Sequence, residues 1–352
     1  MRSINHLNPI KYKEADATVK EVYHELKHET GGIYNTIPLH SLNPAILKGI
    51  WELFREVHLV NGALTRHQKE VIFACVSKAN NCTYCLNNNI ITLKGMKDFK
   101  TARAILSTSF EKITDTKVKK LAKWSYQSTN FSSKMFFLIP ITRKEAPEAI
   151  GSIVLFQYLN RIANAFFHED HTPDLIKSTI RNIKARKISP LLHQKLKSKV
   201  FLKETYNTQE RKIPWALENE QINYVVSKFS YMINIVSNHY IPNDIKNFIK
   251  KEIKKWDGKE KININFRRLL SHIAGDKKIL AEILYLQAFS SRSITNYHWS
   301  KFKEYFKNND EAIITTLAWV SFEVSLFIGK QVYLDIKHNL KKQEPMYSMA
   351  LS

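Results

Sequence analysis

The sequence predicts an all-α chain, and three observations carry that prediction. Nine glycines and ten prolines in 352 residues are too few for a turn-rich β fold, and no glycine-rich phosphate loop is present. Apolar residues recur at helical spacing along nearly the whole chain. A constant offset also aligns Leu121 with Leu284, Tyr126 with Phe289, Phe156 with Trp319 and Leu159 with Phe322, so one helical pattern occurs twice. The length suits two domains. We expect a helical domain over 1–175, a basic connecting region over 176–214 and a degenerate helical repeat over 215–340.

In chain order, the first expected helix covers 15–29 with the stripe Val19, Val22, Tyr23 and Leu26, and a loop at Gly31-Gly32 leads to Pro38 and His40. A second helix, 44–60, carries Ile46, Leu47, Ile50, Trp51, Phe54 and Val57. Residues 64–89 read as a helix capped by Thr65, a break at Asn80-Asn81 and a second helix ending near Gly95. Asn80 or Asn81 is the expected cap, so both cysteines of Cys82-Thr-Tyr-Cys85 fall in the first turn. Helices come next at 100–107 and 115–128, then an irregular apolar loop at 131–142, either lining a pocket or filling the core. A strongly apolar helix covers 146–167. Beyond the basic region, which holds Lys177, Arg181, Lys184, Arg186 and Lys187, helices are expected at 218–237, 243–255, 263–273, 277–289, 297–306 and 310–331, then a loose tail.

The formal charge of +22 and pI ≈ 9.7 raise a nucleic-acid surface. The lysines are scattered and no nucleic-acid motif accompanies them, so solvated helix faces are the expectation. The start has no signal-like apolar stretch, and the weakly charged run 312–328 is short for a membrane span. A cytoplasmic protein without a membrane segment is expected. Three cysteines do not make a disulfide framework, and in a reducing compartment Cys-x-x-Cys is more often redox-active or metal-binding. No second Cys or His pair completes a zinc set, so neither metal nor cofactor is expected.

Cys82 and Cys85, at spacing i, i+3, share a helix face and can close into a small disulfide, and a helix N-terminus favours a thiolate. Two buried thiols are the bland alternative. Cys75 lies on the apolar stripe of the preceding helix, as a core residue does. Glu70 is the nearest carboxylate upstream able to accept a proton, or else a surface residue. His67 is expected in solvent beside the Thr65 cap.

Glu70, eleven residues, Cys82, two residues, Cys85 resembles the AhpD-like alkylhydroperoxidase core of the carboxymuconolactone decarboxylase superfamily. That pattern reads Glu, eleven residues, Cys-x-(His or Tyr)-Cys, three residues, His. Tyr84 matches the His-or-Tyr position, whereas Asn89 stands where the final histidine belongs. VKEVYHEL, IPLHSLNPAIL and FQYLNRIANAFF are similar to the long, two-repeat members. The resemblance implies an AhpD-like helical fold with two related repeats, the second lacking the cysteines. It implies Cys85 as peroxidatic thiol, Cys82 as resolving thiol, Glu70 as the distal end of a proton relay, and Tyr84 and Asn89 at its intermediate positions. The implied partners are a small hydroperoxide and a thiol or dithiol reductant, and apolar helix faces such as the one ending in FQYLNRIANAFF are expected to associate copies of the chain into a homo-oligomer. A non-catalytic scaffold is the alternative, and lactone decarboxylation a weaker third, because that branch does not depend on Cys-x-x-Cys.

Overall fold

Helix α1 (Ala17–Thr30) starts where the Asp16 carboxylate accepts from Val19 N at 2.8 Å, and stops at Gly31, whose φ of 66° closes the last turn onto Lys27 O. The computed structural model describes residues 4–32, 34–131, 140–167, 174–200 and 212–349. Most of the apolar loop expected at 131–142 lies outside them. The described residues hold fourteen α-helices and no strand beyond two isolated bridges, Ile4 with Phe167 and Val60 with Leu196. The all-α expectation stands.

Helix α2 (Pro44–Phe54) has Asn43 as its cap and Pro44 at its first position. The sequence reads one helix to residue 60, but the ladder widens at Arg55–Leu59 into a π-helical turn. Such a turn re-aims side chains, and here it buries Arg55, Glu56 and His58. Helix α3 (Arg66–Ala79) opens with a full capping box, Thr65 and Gln68 each bonding the other's backbone N–H. Helices α4 (Thr83–Gly95), α5 (Phe99–Leu106) and α6 (Thr116–Tyr126) complete the layer around it, the last two capped by Asp98 and Asp115.

Helix α7 (Ala146–Phe166) is buried on nearly every side. The FQYLNRIANAFF face is therefore consumed inside the chain and is not free for association. Helix α8 (Asp174–Ile188) turns much of the basic region into regular structure docked on α4, with Arg181 Nε donating to Asn87 Oδ1 at 3.1 Å and Lys94 Nζ to Asn182 Oδ1 at 2.9 Å. Helices α9 (Glu220–Ser237) and α10 (Asn243–Lys255) match expectation. The helix expected at 263–273 shrinks to one turn, α11 (Phe266–Leu269), because Asn263 takes a left-handed φ of 53° and the helix can start only after the Asn265 cap. Helices α12 (Lys277–Phe289) and α13 (Asn296–Tyr305) precede α14 (Asp310–Met349), which continues well beyond the expected end at 331.

Helix α14 runs along α7, and the contact is close because Gly329 has no side chain: a Cβ there would stand 2.5 Å from Val154 Cγ2. Residues 310–338 are long and apolar enough to cross a membrane, but 89% of the apolar window is buried in the protein, as in a core helix. One contiguous core takes residues from both halves, from Leu7 to Ile336. The α7–α14 pair at its centre includes Phe156 with its repeat partner Trp319, both buried.

Candidate active site

The break between α3 and α4 is a tight one. Asn81 takes φ 51°, and Cys82 N bonds back to Ser77 O at 3.0 Å. Neither asparagine caps α4. Cys82 itself does, its Sγ accepting from Cys85 N at 3.3 Å, so sulfur replaces the expected amide oxygen at the positive helix end. Cys82 and Cys85, Cα atoms 5.4 Å apart, are joined as a disulfide. Both residues are buried, Cys82 1% and Cys85 5% exposed. Tyr84 stacks on Phe167 with centroids 4.2 Å apart, and its hydroxyl accepts from Asn35 N at 3.2 Å. Cys75 is a core residue, its thiol pushed well up by burial and kept inert.

Glu70 is fully buried, not a surface residue. Its Oε1 accepts from Arg66 Nε at 2.9 Å, from Tyr34 Oη at 3.2 Å and from His58 Nε2 at 2.8 Å, while Oε2 has no partner among the described residues. Burial alone would raise this carboxyl, but His58 and Arg66 outweigh it and hold the group at about 2. His58 is itself pushed down to about 3, by burial first and by the nearby Arg66 charge next. The pair is thus carboxylate and neutral imidazole, with the proton placed on Nε2 by the acceptor it faces. Phe73 stacks on the imidazole with centroids 3.8 Å apart and fixes its plane.

Asn89 is buried one turn beyond Cys85, donating to Ser77 Oγ at 3.4 Å, and Ser77 donates to Asn160 Oδ1 of α7 at 3.1 Å. Glu70 and Ser77 lie seven residues apart on α3, roughly 10 Å along the axis. The fold therefore groups Cys82, Tyr84, Cys85 and Asn89 at one end of the α3–α4 pair and holds Glu70 two turns away with His58. His67 is half-buried and bonded to Asp98 at 2.7 Å, away from both groups. Among the described residues no His, Cys, Asp and Glu cluster suits a metal ion.

His58, Tyr34 and Arg66 are the site residues that sequence reasoning missed. His58 carried a signal, standing four residues after Phe54 on an apolar face and twelve before Glu70. The π turn that aims it inward carried none. Because His58 and His40 (held at about 4 by burial) are neutral in the fold, the unfolded chain takes up protons first as pH falls below about 6.5. Both folded values are depressed, so stability is lost on acidification. Urea unfolding should give a lower unfolding free energy at pH 5 than at pH 7.5, by about 1–2 kcal/mol per histidine. His58→Gln should narrow the difference.

Across nearly its whole length the chain is similar to a known protein. It is 22% identical over 358 residues, 98% of this chain and 99% of the relative, to a Mycobacterium tuberculosis protein named alkyl hydroperoxide reductase. This supports the chain as an AhpD-like superfamily member. No family model matches it. The relative's name is that of a hydroperoxidase-type enzyme, and the Cys82–Cys85 disulfide is the feature here with chemistry of that type.

Proposed function

We propose that this protein is a thiol-dependent hydroperoxidase or disulfide oxidoreductase working through Cys82 and Cys85. The observation that carries the reading is the disulfide itself, nearly buried at a helix N-terminus beside the stacked Tyr84 and Phe167 rings. Cys85 thiolate attacks the distal oxygen of a hydroperoxide, the O–O bond breaks, and the alkoxide leaves with a proton as alcohol, giving a sulfenic acid at Cys85. Cys82 thiolate displaces hydroxide from that sulfur, which departs as water, and the disulfide forms. A dithiol then attacks Cys85, and Cys82 leaves as a thiolate stabilised by the Cys85 N–H.

In this reading Glu70 stays ionised and, with His58, sets the field and geometry at the far end of the helix pair. Asn89 holds a hydrogen bond where an imidazole would exchange a proton, so turnover is slow. The division into a catalytic segment over 1–175, a connector over 176–214 and a degenerate repeat over 215–340 belongs to the same reading. So do a cytoplasmic setting and self-association, through surfaces other than α7.

The test is peroxide consumption with a dithiol reductant. Wild type should turn over and Cys85→Ser should not. Mild oxidation followed by alkylation and peptide mapping should show Cys82 joined to Cys85 within one chain and Cys75 reduced. Three alkylated cysteines after oxidant, with no peroxide consumed, would favour the scaffold alternative.

A further inference from the structure

Arg161 of α7 is buried, yet no carboxylate pairs with it among the described residues. Its Nε donates to Ala288 O at 3.0 Å, and its Nη1 donates to Gln157 O at 2.9 Å and Gln157 Oε1 at 2.7 Å. These are neutral acceptors. A guanidinium held in a protein interior without a counter-charge is expensive, and burial pushes its pKa down to about 9, still charged at neutral pH. The Trp256 ring, 5.8 Å away, offers only weak compensation.

Arg161 lines a cavity of about 110 Å³ between the two halves, with Asn80, Asn160 and Asn164 on one side and Trp256 and Ser290 on the other. That volume holds several waters or a small acid. Asn160, fully buried in the same wall, has an Nδ2 with no acceptor among the described residues. A buried cation and an unsatisfied amide donor on one cavity both call for an acceptor. Glu260 stands exposed at the mouth and makes no ion pair with Arg161. The cavity also abuts the redox turn. Asn80 and Asn81, which line it, immediately precede Cys82, and Gln157 Oε1 accepts from both Arg161 Nη1 and Asn80 Nδ2, the latter at 3.0 Å.

We propose that this cavity binds a carboxylate, supplied by an acidic hydroperoxide or by an acidic thiol reductant, with Arg161 as its counter-charge. The proposal rests on the redox reading of Cys82 and Cys85 for its substrate assignment but not for the binding itself. It gives the second half a task, since Trp256 and Ser290 complete a site that the first half cannot enclose.

Binding is tested without turnover, by titrating acetate and propionate into the full chain and following tryptophan fluorescence and thermal midpoint. Wild type and Cys85→Ser should both saturate and gain stability, with equal chloride giving neither. Arg161→Gln should weaken binding at least tenfold. Because that variant risks misfolding, Ser291→Trp, which fills the mouth, is the second arm and should abolish binding while far-ultraviolet circular dichroism stays helical. Absence of saturable binding in wild type overturns the proposal even if peroxidase activity is found. The source of the carboxylate is read from two kinetic comparisons. One sets a carboxylate-bearing hydroperoxide against its methyl ester, and the other sets dimercaptosuccinate against dithiothreitol. A KM at least tenfold lower for the acid in one comparison, lost in Ser291→Trp, is the expected result. Equal KM values in both comparisons would overturn the substrate assignment.

Discussion

Asn89→His should raise peroxide turnover at pH 7, by as much as about 10²-fold, at the lower end of what acid–base assistance supplies. Position 89 lies one helical turn from Cys85 and faces Ser77 across the α3–α4 interface. Asparagine there keeps a hydrogen bond but cannot exchange a proton near neutrality, whereas imidazole can. Thiolate formation in the natural chain must lean on the helix end, and the departing alkoxide must find its proton from solvent at a site where both cysteines are buried. Glu70 cannot replace the missing group, because Arg66 and His58 hold it at about 2. Glu70, two turns away along α3, acts on an imidazole at 89 only through its charge, which favours the protonated ring. The gain should therefore disappear when Cys85→Ser is added and shrink when Glu70→Gln is added. Stopped-flow peroxide consumption with saturating dithiol checks it. An unchanged rate in Asn89→His beside a brisk wild type would show that the proton travels elsewhere.

The parts of this site that were legible in the sequence are those written in local spacing. Thr65 with Gln68, the apolar stripe of α3 and the pair Cys82 and Cys85 all act within a turn or two, so the order of residues is enough. Glu70 was legible as a candidate, though its burial was not, since that depends on α2 arriving from another direction. His58 shows why. Its inward aim comes from a π-helical widening at 55–59, and its neutrality comes from burial and the nearby Arg66 charge, both set by tertiary context. Arg161 was hidden for the same reason, because an arginine in an apolar helix pattern does not announce whether an acid waits opposite it. The helix expected at 263–273 failed on a local feature that apolar periodicity outvoted, the left-handed Asn263. The face in FQYLNRIANAFF was correctly read as apolar, and the misreading lay in its partner, which is α14 of the same chain.

Glu148→Ala should be the most damaging single change outside the redox pair, costing about 3–5 kcal/mol of stability. Glu148 sits in the first turn of α7 and is 3% exposed. Its carboxylate accepts from Ala63 N at 2.6 Å and Leu64 N at 3.1 Å, tying down the loop that enters α3, and pairs with Lys69 Nζ at 2.9 Å. It lies where a Cβ on Gly62 would fall, so that glycine exists to admit it. Removing the carboxylate leaves two backbone donors unsatisfied and a lysine that is 1% exposed with only Val60 O, at 3.0 Å, for company. Burial already lowers the Lys69 pKa, with Glu148 as the main opposing influence, so losing Glu148 drives the lysine toward the neutral form or the helix toward opening. Glu148→Gln, which keeps an acceptor for the two N–H groups, should cost less than Glu148→Ala. Lys69→Met combined with Glu148→Gln should recover part of the loss, because no buried charge is then left unpaired. Urea denaturation of wild type, Lys69→Met, Glu148→Gln and the double variant, followed by circular dichroism, closes the cycle. Strict additivity of Lys69→Met and Glu148→Gln would mean that the two charges do not stabilise each other and that the carboxylate serves only the backbone of the α3 entry.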